Sequence, residues 1–395
     1  MRFSSRLQPD LTPGRLHRAL DELRATGTPL LDLTSSNPAQ CGLGPEAGVL
    51  AQALTAPGSA EYHPEPRGLL RTRQAVAAYY ADRGLPTSSE QIFLSASTSQ
   101  VYAELIKLFA DPRDEILVPQ PSYPLFEMLV TLEGCRPVPC PSIPTPDGQW
   151  RMDATALQRA FTTRTRAVIL VSPNNPTGVY LTPDEQAAAQ RLCVDHDCPL
   201  IMDEVFFDYP AAGFASPRTV DEGAGLRVRL SGLSKVVGAP QLKLGWMRLS
   251  GEQARVHAAC ERLEFIADTY LSASTPAQLA AEVLLPQRGP IQARIRDRLE
   301  ANQRAAVHAL RSGPAHLLPR QGGWHLVLRL PEGEDDEALA LELLTEDHVV
   351  VHPGYFYDLP GQEHLVVSLI PPSDMFAEGM RRLAARLRAR HGTMT

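Results

Sequence analysis

Two of the three lysines in this 395-residue chain, Lys235 and Lys243, lie eight positions apart, whereas the chain contains thirty-five arginines. A chain that uses arginine for almost every positive charge is expected to keep lysine where a guanidinium cannot replace it. A partly desolvated lysine can release its proton and attack a carbonyl carbon, which arginine does not do. Small residues at positions 231, 232 and 234 leave room beside Lys235 for a bulky group. Lys235 is therefore a candidate nucleophile, and the alternative is that both lysines are ordinary surface charges.

Four segments with chemically useful side chains follow segments that the sequence predicts to be strands. Residues 95–99, Ser-Ala-Ser-Thr-Ser, precede a predicted helix, and such hydroxyl groups either bind phosphate at a helix N-terminus or simply cap the helix. Tyr123 lies in a proline-rich turn, and the prolines of residues 172–178 fix an asparagine amide in one direction. Asp203 follows an apolar strand, where an acid is costly to bury unless it faces a positive charge. Ligands bind at the carboxyl ends of strands in such sheets, so we expect these side chains to meet.

The side chains that these segments would bring together fit one kind of ligand. They are a nucleophilic lysine, a phosphate site, an aromatic face, an oriented amide and a buried acid. A phosphorylated pyridine that carries an aldehyde requires all five. The lysine condenses with the aldehyde, and the acid keeps the ring nitrogen protonated so that the ring accepts the electrons of a carbanion.

Predicted helices and strands alternate between residues 68 and 250, which favours a mostly parallel sheet covered by helices on both faces. The residues from about 315 onward contain further strands and helices, which predict a smaller α/β domain. The strands are predicted at 91–95, 115–119, 166–172, 200–203, 324–330, 349–351 and 365–369, and the helices at 68–83, 98–110, 123–133, 182–196, 275–311 (interrupted at 286–290), 335–345 and 375–390.

The composition argues against several classes of protein. The net charge of −7 gives no global basic surface, so no nucleic-acid partner is expected. The six cysteines show no metal-binding or disulfide spacing, so no metal is expected. Because there is neither a run of eighteen apolar residues nor an apolar N-terminal segment, we expect a cytoplasmic protein with no membrane partner. No G-x-G-x-x-G or Walker loop follows the first strand, which argues against a nucleotide-binding protein.

Several short motifs follow one another in a characteristic order. They are Tyr62…Gly68, Asn174-Asn175-Pro176-Thr177-Gly178, Asp203-Glu204-Val205-Phe206, Ser234-Lys235, Lys243, Gly245-Trp246 and Pro353-Gly354. This order resembles the class I/II aminotransferases, which are pyridoxal-phosphate enzymes with the aspartate-aminotransferase fold (fold type I). The resemblance covers nearly the whole chain and implies a three-layer α/β/α large domain with a smaller C-terminal α/β domain. We expect residues 1–45 to pack with the small domain, residues 46–285 to form the large cofactor-binding domain and residues 286–395 to form the small domain.

The resemblance implies a role for each matching residue. Lys235 would bond covalently to the cofactor and later carry a proton between the substrate Cα and the cofactor's C4′ atom. Asp203 would pair with the pyridine nitrogen, Asn175 would donate to the ring's 3-oxygen, and Tyr123 would stack on the ring. Tyr62 would reach the phosphate in the neighbouring subunit, which implies a homodimer with shared active sites. The phosphate would be held by Thr98, Ser99, Lys243 and either Ser234 or Ser231.

Three positions around the cofactor depart from the family's pattern. Phe206 replaces a tyrosine whose hydroxyl normally donates to the cofactor's 3-oxygen, so we expect the linkage between Lys235 and the cofactor to titrate at higher pH. Lys243 replaces an arginine, and it offers a point charge rather than a bidentate fork. Gly232 replaces a serine, so a phosphate contact has either moved to Ser231 or been lost.

A fourth departure concerns the substrate. Val366 stands where the family has the arginine that binds the substrate's α-carboxylate. Either another arginine replaces it, or the substrate presents no carboxylate there. Arg320 and Arg329 are possible substitutes, with surface ion pairing as the alternative, and Ser36 and Asn37 lie where the family's N-terminal segment lines the pocket. Three aromatic residues could wall the same pocket, although core packing is the preferred interpretation: Trp324, Tyr355 and Phe356.

The leading hypothesis is an aminotransferase that moves an amino group between an amino acid and a 2-oxo acid in two half-reactions. A pyridoxal-phosphate lyase such as a C–S β-lyase is the alternative, because it uses the same residues and the missing arginine slightly favours it. A regulator that binds the cofactor without turnover is a third hypothesis, which the joint presence of Lys235, Asp203 and Asn175 disfavours. The amino donor and acceptor do not follow from the sequence.

Overall fold

Three sheets form the framework of the computed structural model, which describes residues 1, 3–7, 12–62, 64–146, 148–221, 223–271 and 273–391. The strands are β1 (Leu31–Asp32), β2 (Ile92–Ser95), β3 (Glu115–Gln120), β4 (Arg136–Pro144), β5 (Trp150–Met152), β6 (Thr165–Val171), β7 (Leu200–Asp203), β8 (Leu226–Gly232), β9 (Gly245–Gly251), β10 (His316–Leu317), β11 (His325–Arg329), β12 (Val349–Val350), β13 (His352–Pro353) and β14 (His364–Ser368). The helices are α1 (Arg15–Ala25), α2 (Ala47–Leu54), α3 (Leu70–Asp82), α4 (Thr98–Phe109), α5 (Leu125–Leu132), α6 (Ala154–Ala160), α7 (Pro183–Asp195), α8 (Leu233–Val236), α9 (Gln253–Tyr270), α10 (Thr275–Leu284), α11 (Arg288–Leu310), α12 (Asp336–Glu346) and α13 (Ser373–His391).

The largest sheet has eight strands in the order β2-β9-β8-β7-β6-β3-β4-β5. The pairs among β8, β7, β6, β3 and β4 are parallel, whereas β9 is antiparallel to both of its neighbours and β5 is antiparallel to β4. Strand β2 therefore runs in the same direction as β8. As a result, the carboxyl ends of β2, β3, β6, β7 and β8 lie along one edge of the sheet.

Helices cover both faces of this sheet. Successive residues of β6 point to opposite faces, so that Ile169 joins one buried core and Val168 joins the other. Leu105 of α4 and Leu263 of α9 pack into the core that contains Ile169. Leu157 of α6 packs into the core that contains Val168. The arrangement of helices, sheet and helices confirms the predicted α/β fold class.

A smaller sheet with the strand order β10-β11-β14-β13 is built by the C-terminal part of the chain. The N-terminal segment contributes β1, which pairs in parallel with β12 and places Leu31 opposite Val349. The Ser368 amide also donates to the Leu33 carbonyl at 2.7 Å. The segment that carries Ser36 is thereby held against the C-terminal part, while the domain boundaries at residues 45 and 285 stay predictions.

The predicted helices and strands are present, with ends that agree to within about two residues. Helix α7 begins with a capping box, because the Thr182 hydroxyl accepts from the Glu185 amide and the Glu185 carboxylate accepts from the Thr182 amide. The predicted interruption near residues 286–290 separates α10 from α11. Among the residues described here, none of the helices combines the length and the hydropathy that a membrane span requires.

Candidate active site

A cavity of about 420 Å³ opens at the carboxyl edge of the eight-stranded sheet. Its walls come from the ends of β6 and β7, from the β2–α4 and β8–α8 junctions, and from β11, β13 and the N-terminal segment. The strand order therefore brings together side chains that are far apart in the sequence. The residues predicted from the sequence that line this cavity are Lys235, Asp203, Asn175, Tyr123, Thr98, Ser99, Ser234, Lys243 and Ser36.

The Lys235 side chain enters the cavity from α8, directly after β8. Its Nζ lies 4.9 Å from the ring centroid of Trp324 and 5.5 Å from that of Phe206. Burial lowers the pKa of Lys235 to about 8, although the nearby Asp203 carboxylate acts in the opposite direction. A lysine with such a pKa is partly unprotonated near neutral pH, so it can attack a carbonyl carbon.

Asp203 ends β7, and its carboxyl group faces the same cavity. Oδ2 accepts a hydrogen bond from the Tyr102 hydroxyl at 2.6 Å, and Oδ1 accepts one from the Val205 amide at 2.9 Å. Burial raises the pKa of Asp203 to about 6, and the two hydrogen bonds limit the increase. A positively charged ligand group beside this carboxylate would compensate for its burial.

Tyr102 is a cavity residue that the sequence interpretation missed. It lies on α4 one helical turn after Thr98, and both side chains line the cavity. This spacing of four residues is the signal that could have identified it, because residues i and i+4 share one face of a helix.

The Glu204 carboxylate, although adjacent in sequence to Asp203, has a different environment. It lies 2.7 Å from the Arg83 guanidinium and also contacts the buried Arg229 guanidinium. Burial alone would raise the pKa of Glu204, but the attraction of Arg229 and Arg83 outweighs it and the pKa is lowered. Glu204 therefore belongs to a buried ion-pair cluster, and Asp203 is the acid that faces the cavity.

Of the two consecutive asparagines, only Asn175 lines the cavity. The Asn174 side chain is used within the loop, because its amide donates to the Pro121 carbonyl at 3.0 Å and its oxygen accepts from the Thr177 hydroxyl at 2.9 Å. The Asn175 side chain is 9 % exposed, and its Oδ1 atom has no hydrogen-bond partner among the described residues. A buried amide of this kind is expected to find its partner in a ligand.

Several hydroxyl groups and one cation surround the N-terminus of α4. Ser97 caps the helix by accepting from the Gln100 amide at 3.1 Å, and it lines the cavity although it was not predicted. Gly245 at the start of β9 allows this approach, because a Cβ atom there would lie 2.8 Å from the Thr98 amide nitrogen. Lys243 lines the same cavity from a left-handed backbone conformation with φ of 50°. Free amides, hydroxyls and a lysine together form a potential phosphate site.

Ser234 and Ser231 were the two alternative candidates for binding the phosphate, and they differ in position. Ser234 lines the cavity, whereas Ser231 is fully buried in β8 opposite Trp246 and does not line it. Gly232 lies between them, and a Cβ atom there would be 3.0 Å from the Leu244 carbonyl oxygen. A serine at position 232 would therefore require the backbone at Leu244 and Gly245 to shift by a few tenths of an ångström, whereas glycine fits without a shift.

The predicted substitutes for the missing carboxylate arginine do not reach the cavity. Arg320 donates to the Gln303 side chain at 2.9 Å and to the Gly323 carbonyl at 2.8 Å, so its guanidinium is engaged elsewhere. Arg329 lies exposed at the end of β11, and the Asn37 oxygen accepts from a backbone amide of its own loop. No arginine lines the cavity in the described ranges of the chain.

Uncharged polar side chains occupy the corresponding wall. Ser36 Oγ lies 3.0 Å from His325 Nε2 and 3.1 Å from Ser368 Oγ. Burial, followed by the proximity of His352, lowers the pKa of His325 to about 3, so this histidine is neutral at physiological pH. Little in the sequence indicated a role for His325, because the residues that directly follow it in β11 are Leu, Val and Leu. Other unpredicted residues of this wall are Thr34, His352 and Tyr357.

The remaining aromatic residues differ in position. Tyr123 lines the cavity and is 45 % exposed, whereas Tyr62 is 73 % exposed and lies beside a separate depression that also contains Leu271. Trp324 is fully buried and packs edge-on against Phe206, in agreement with core packing. Neither Tyr355 nor Phe356 lines the cavity.

The chain matches known proteins over almost its full length. Residues 28–387 match the family described as aminotransferase class I and II. An alanine aminotransferase of Mycobacterium tuberculosis is 26 % identical, with 94 % of this chain and 88 % of that protein covered. The glutamate-pyruvate aminotransferase AlaA of Escherichia coli is 24 % identical, with 96 % and 95 % covered.

Solved structures share the fold. The structure of an alanine aminotransferase from Pyrococcus furiosus superimposes with a TM-score of 0.87 at 22 % identity, and covers 98 % of this chain and 100 % of its own. An aspartate aminotransferase from Thermus thermophilus gives a TM-score of 0.83 at 24 % identity, with 98 % and 100 % covered. From the family match, the chain belongs to the class I and II aminotransferases.

Proposed function

We propose that this protein is a pyridoxal-phosphate-dependent aminotransferase that exchanges an amino group between an amino acid and a 2-oxo acid. The observation that carries the proposal is that Lys235 and Asp203 both face one cavity. There the pKa of the lysine is lowered to about 8 and the pKa of the aspartate is raised to about 6. The similarity to alanine and glutamate-pyruvate aminotransferases supports the exchange between an amino acid and a 2-oxo acid.

The residues of the cavity fit pyridoxal phosphate. The buried Asp203 carboxyl would hold a proton on the pyridine nitrogen. The Asn175 side chain, whose Oδ1 has no partner among the described residues, would turn so that its Nδ2 donates to the 3-oxygen. Thr98 and Ser99 at the N-terminus of α4 would bind the phosphate together with further groups of the same cavity, Ser97, Ser234 and Lys243. Tyr123 would lie against the ring.

When bound, pyridoxal phosphate supplies an aldehyde carbon that bonds to amines and a ring that accepts the electrons of a carbanion. Lys235 Nζ would take the proton from the substrate Cα and return it to the C4′ position. Its lowered pKa suits this task, because a base with a pKa near the working pH accepts and releases a proton readily. The Phe206 and Trp324 rings beside Nζ limit the access of water.

We also propose that two copies of the chain share their active sites. Tyr62 and Leu271 border one depression, and α9 exposes Phe265 at 77 % and Tyr270 at 54 % just before it. Exposed apolar side chains in one region indicate a protein–protein contact. A second copy that covers this surface would bring its Tyr62 towards the neighbouring phosphate site.

The proposal can be tested in a single half-reaction. The purified protein is loaded with pyridoxal phosphate and mixed with one amino acid at a time, without a 2-oxo acid, while the visible absorbance is followed. We expect conversion of the cofactor to its amine form once per site, with release of an equal amount of 2-oxo acid, and reversal when a 2-oxo acid is added.

Two variants provide controls for this experiment. The Lys235→Ala variant should not convert the cofactor. The Lys107→Ala variant should behave as wild type, because Lys107 pairs with Glu133 outside the cavity. Continuous release of ammonia and pyruvate without conversion of the cofactor would identify a lyase instead. No response to any amino acid would contradict an amino-acid aminotransferase.

A further inference from the structure

The wall of the cavity that should receive the substrate's α-carboxylate contains no arginine among the described residues. The position at which the family carries this arginine is closed, because Val366 is fully buried against Val327, Trp150 and Tyr357. A guanidinium at that position would have to enter an apolar cluster. The carboxylate must therefore be bound by other side chains.

Ser36, His325 and Ser368 form a hydrogen-bonded chain at this wall. The three side chains come from the segment after β1, from the start of β11 and from the end of β14. Ser368 Oγ already accepts from the Ile370 amide at 3.3 Å, and it accepts from the Ser36 hydroxyl at 3.1 Å. The Ser36 oxygen is then the acceptor for the N–H at His325 Nε2, 3.0 Å away. Both Ser36 and His325 also line the cavity, so either donor can turn towards a ligand.

The chain of hydrogen bonds lies close to the reacting amine. The Phe206 ring is in contact with both sides, since its centroid is 5.5 Å from Lys235 Nζ and 6.1 Å from the His325 ring centroid. Lys235 must reach the substrate Cα to move its proton, and the α-carboxylate is one bond from Cα. A carboxylate bonded to that Cα would therefore be able to reach the wall where Ser36 and His325 present their donors.

We propose that His325 and Ser36, supported by Ser368, bind the substrate's α-carboxylate through uncharged hydrogen-bond donors in place of an arginine. This inference rests on the proposed aminotransferase function, because it places the substrate Cα beside Lys235. Two N–H or O–H groups replace the bidentate guanidinium fork. Only Lys235 and Lys243 provide positive charge among the described residues that line the cavity, and both have other tasks.

The test measures the binding of two ligands that cannot react. Propanoate is alanine without its amino group, and propanamide has the same shape without the charge. Both are titrated into the protein loaded with pyridoxal phosphate, and the change in visible absorbance gives the dissociation constant. We expect His325→Ala to weaken propanoate binding about 10- to 100-fold, the usual effect of losing a hydrogen bond to a charged group, and to change propanamide binding less than about 3-fold.

Three further variants make the result specific. His325→Asn retains an uncharged N–H donor, so it should recover part of the propanoate affinity. Ser36→Ala should also weaken propanoate binding. If His325→Ala does not fold, Ser36→Ala tests the proposal in its place. His316→Ala changes an exposed histidine of β10 that does not line the cavity, so it should bind both ligands as wild type does.

Several outcomes would overturn the proposal. One is that both His325→Ala and Ser36→Ala bind propanoate as tightly as the wild type does. Another is that the variants lose affinity for propanoate and for propanamide equally. A third is that the wild type does not bind propanoate. The proposed function can fail separately, because the ligands do not react. If no amino acid converts the cofactor but propanoate binding still depends on His325, the carboxylate site stands and the aminotransferase activity does not.

Discussion

Burial shifts the pKa values of Lys235 and Asp203, which both face the cavity, in opposite directions. It lowers the pKa of Lys235 because the ammonium loses its hydration, and it raises the pKa of Asp203 because the carboxylate loses its own. The lysine is thus available as a base, and the aspartate is ready to share a proton with a ring nitrogen. Neither group has a fixed ion-pair partner among the described residues, which is typical of side chains that meet their partner in a ligand.

Cofactor binding should depend on pH through Asp203. Its pKa of about 6 means that the charged form, which binds a protonated pyridine, is lost as the pH falls through 6. In the Lys235→Ala variant, which removes the covalent bond, we expect affinity for pyridoxal phosphate to decrease from pH 7 to pH 5. Equilibrium titration by fluorescence measures this. Adding Tyr102→Phe should move the midpoint to higher pH, because the Tyr102 hydrogen bond stabilises the charged carboxylate. An unchanged midpoint would contradict this role.

The presence of Phe206 in place of the family's tyrosine should change the pKa of the linkage between Lys235 and the cofactor. The Phe206 ring lines the cavity with its centroid 5.5 Å from Lys235 Nζ. The resemblance to the family implies that a tyrosine hydroxyl at this position would donate to the cofactor's 3-oxygen. We expect Phe206→Tyr to lower the pKa of the linkage between Lys235 and the cofactor by about one unit, or ~1.4 kcal/mol. Visible absorbance followed over pH gives this pKa. A wild-type pKa equal to or below that of Phe206→Tyr would refute the expectation.

Asp203, the last residue of β7, and Glu204, which follows it, point in opposite directions. Asp203 faces the cavity, and Glu204 faces Arg83 and Arg229 in the interior. The ion pair therefore fixes the end of the strand that carries Asp203. Asp221, which contacts Arg248 at 2.7 Å, extends the same cluster of buried charges.

Removal of the central anion of this cluster should destabilise the protein. We expect Glu204→Gln to reduce the free energy of unfolding by about 3–5 kcal/mol, because it leaves two buried guanidinium groups without their shared carboxylate. Urea unfolding monitored by circular dichroism measures the change. The double variant Glu204→Gln/Arg229→Met should lose less of the free energy of unfolding than Glu204→Gln alone. An effect below about 1 kcal/mol would show that the charges are solvated.

The sequence predicted seven of the fourteen strands in the described residues, and it missed β1, β4, β5, β8, β9, β10 and β13. The helices α1, α2, α6, α8 and α9 were not predicted either. Long apolar or amphipathic segments such as β6 and α4 follow from their periodicity. Strand β4 contains Pro137, Pro139 and Pro141, which normally argue against a strand. Their alternation places the three missing amide donors on one side, and β5 begins to pair there only at Ser142. Such a strand is recognisable only when its neighbours are known.

The two ends of the cavity differed in how well they could be predicted. Lys235, Asp203 and Asn175 lie in local motifs directly after strands, so short segments of sequence identified them. The opposite wall combines Ser36 with His325, which are 289 positions apart and belong to no common motif. Only the pairing of β1 with β12 and the course of β11 bring them together. The reversed direction of β9 likewise has no local signal.

At the scale of the assembled molecule, the proposed sharing of active sites predicts complementation between two defective variants. Lys235→Ala lacks the base in its own site, and Tyr62→Ala would lack a phosphate contact in the neighbouring site. A mixed dimer would contain one site without either defect. Because half of the dimers are mixed and each of these has one intact site of two, mixing should restore up to about a quarter of the wild-type activity. Activity after mixing and refolding measures this.

Controls distinguish complementation from simple addition. Each variant refolded alone should show no increase, and Tyr62→Ala must first show reduced affinity for the cofactor. If Tyr62 acts within its own subunit, the mixed dimer has one site without Lys235 and one without Tyr62, and no activity returns. Size-exclusion chromatography with light scattering establishes whether dimers are present. A monomer would contradict the proposed sharing of sites.

The hydrogen bond between Ser36 and Ser368 joins residues 332 positions apart, and it has a consequence for the order in which the protein is made. On the ribosome, the α4 N-terminus, Asp203 and Lys235 are all synthesised before the first residue of β11. The half of the cavity that we propose to hold the cofactor is therefore encoded ahead of the half that we propose to receive the substrate. The contact of Ser36 with Ser368 cannot form until almost the whole chain has been synthesised, and contacts of such long range form late. A nascent chain can thus acquire the means to hold its cofactor before it acquires the means to select what that cofactor acts upon.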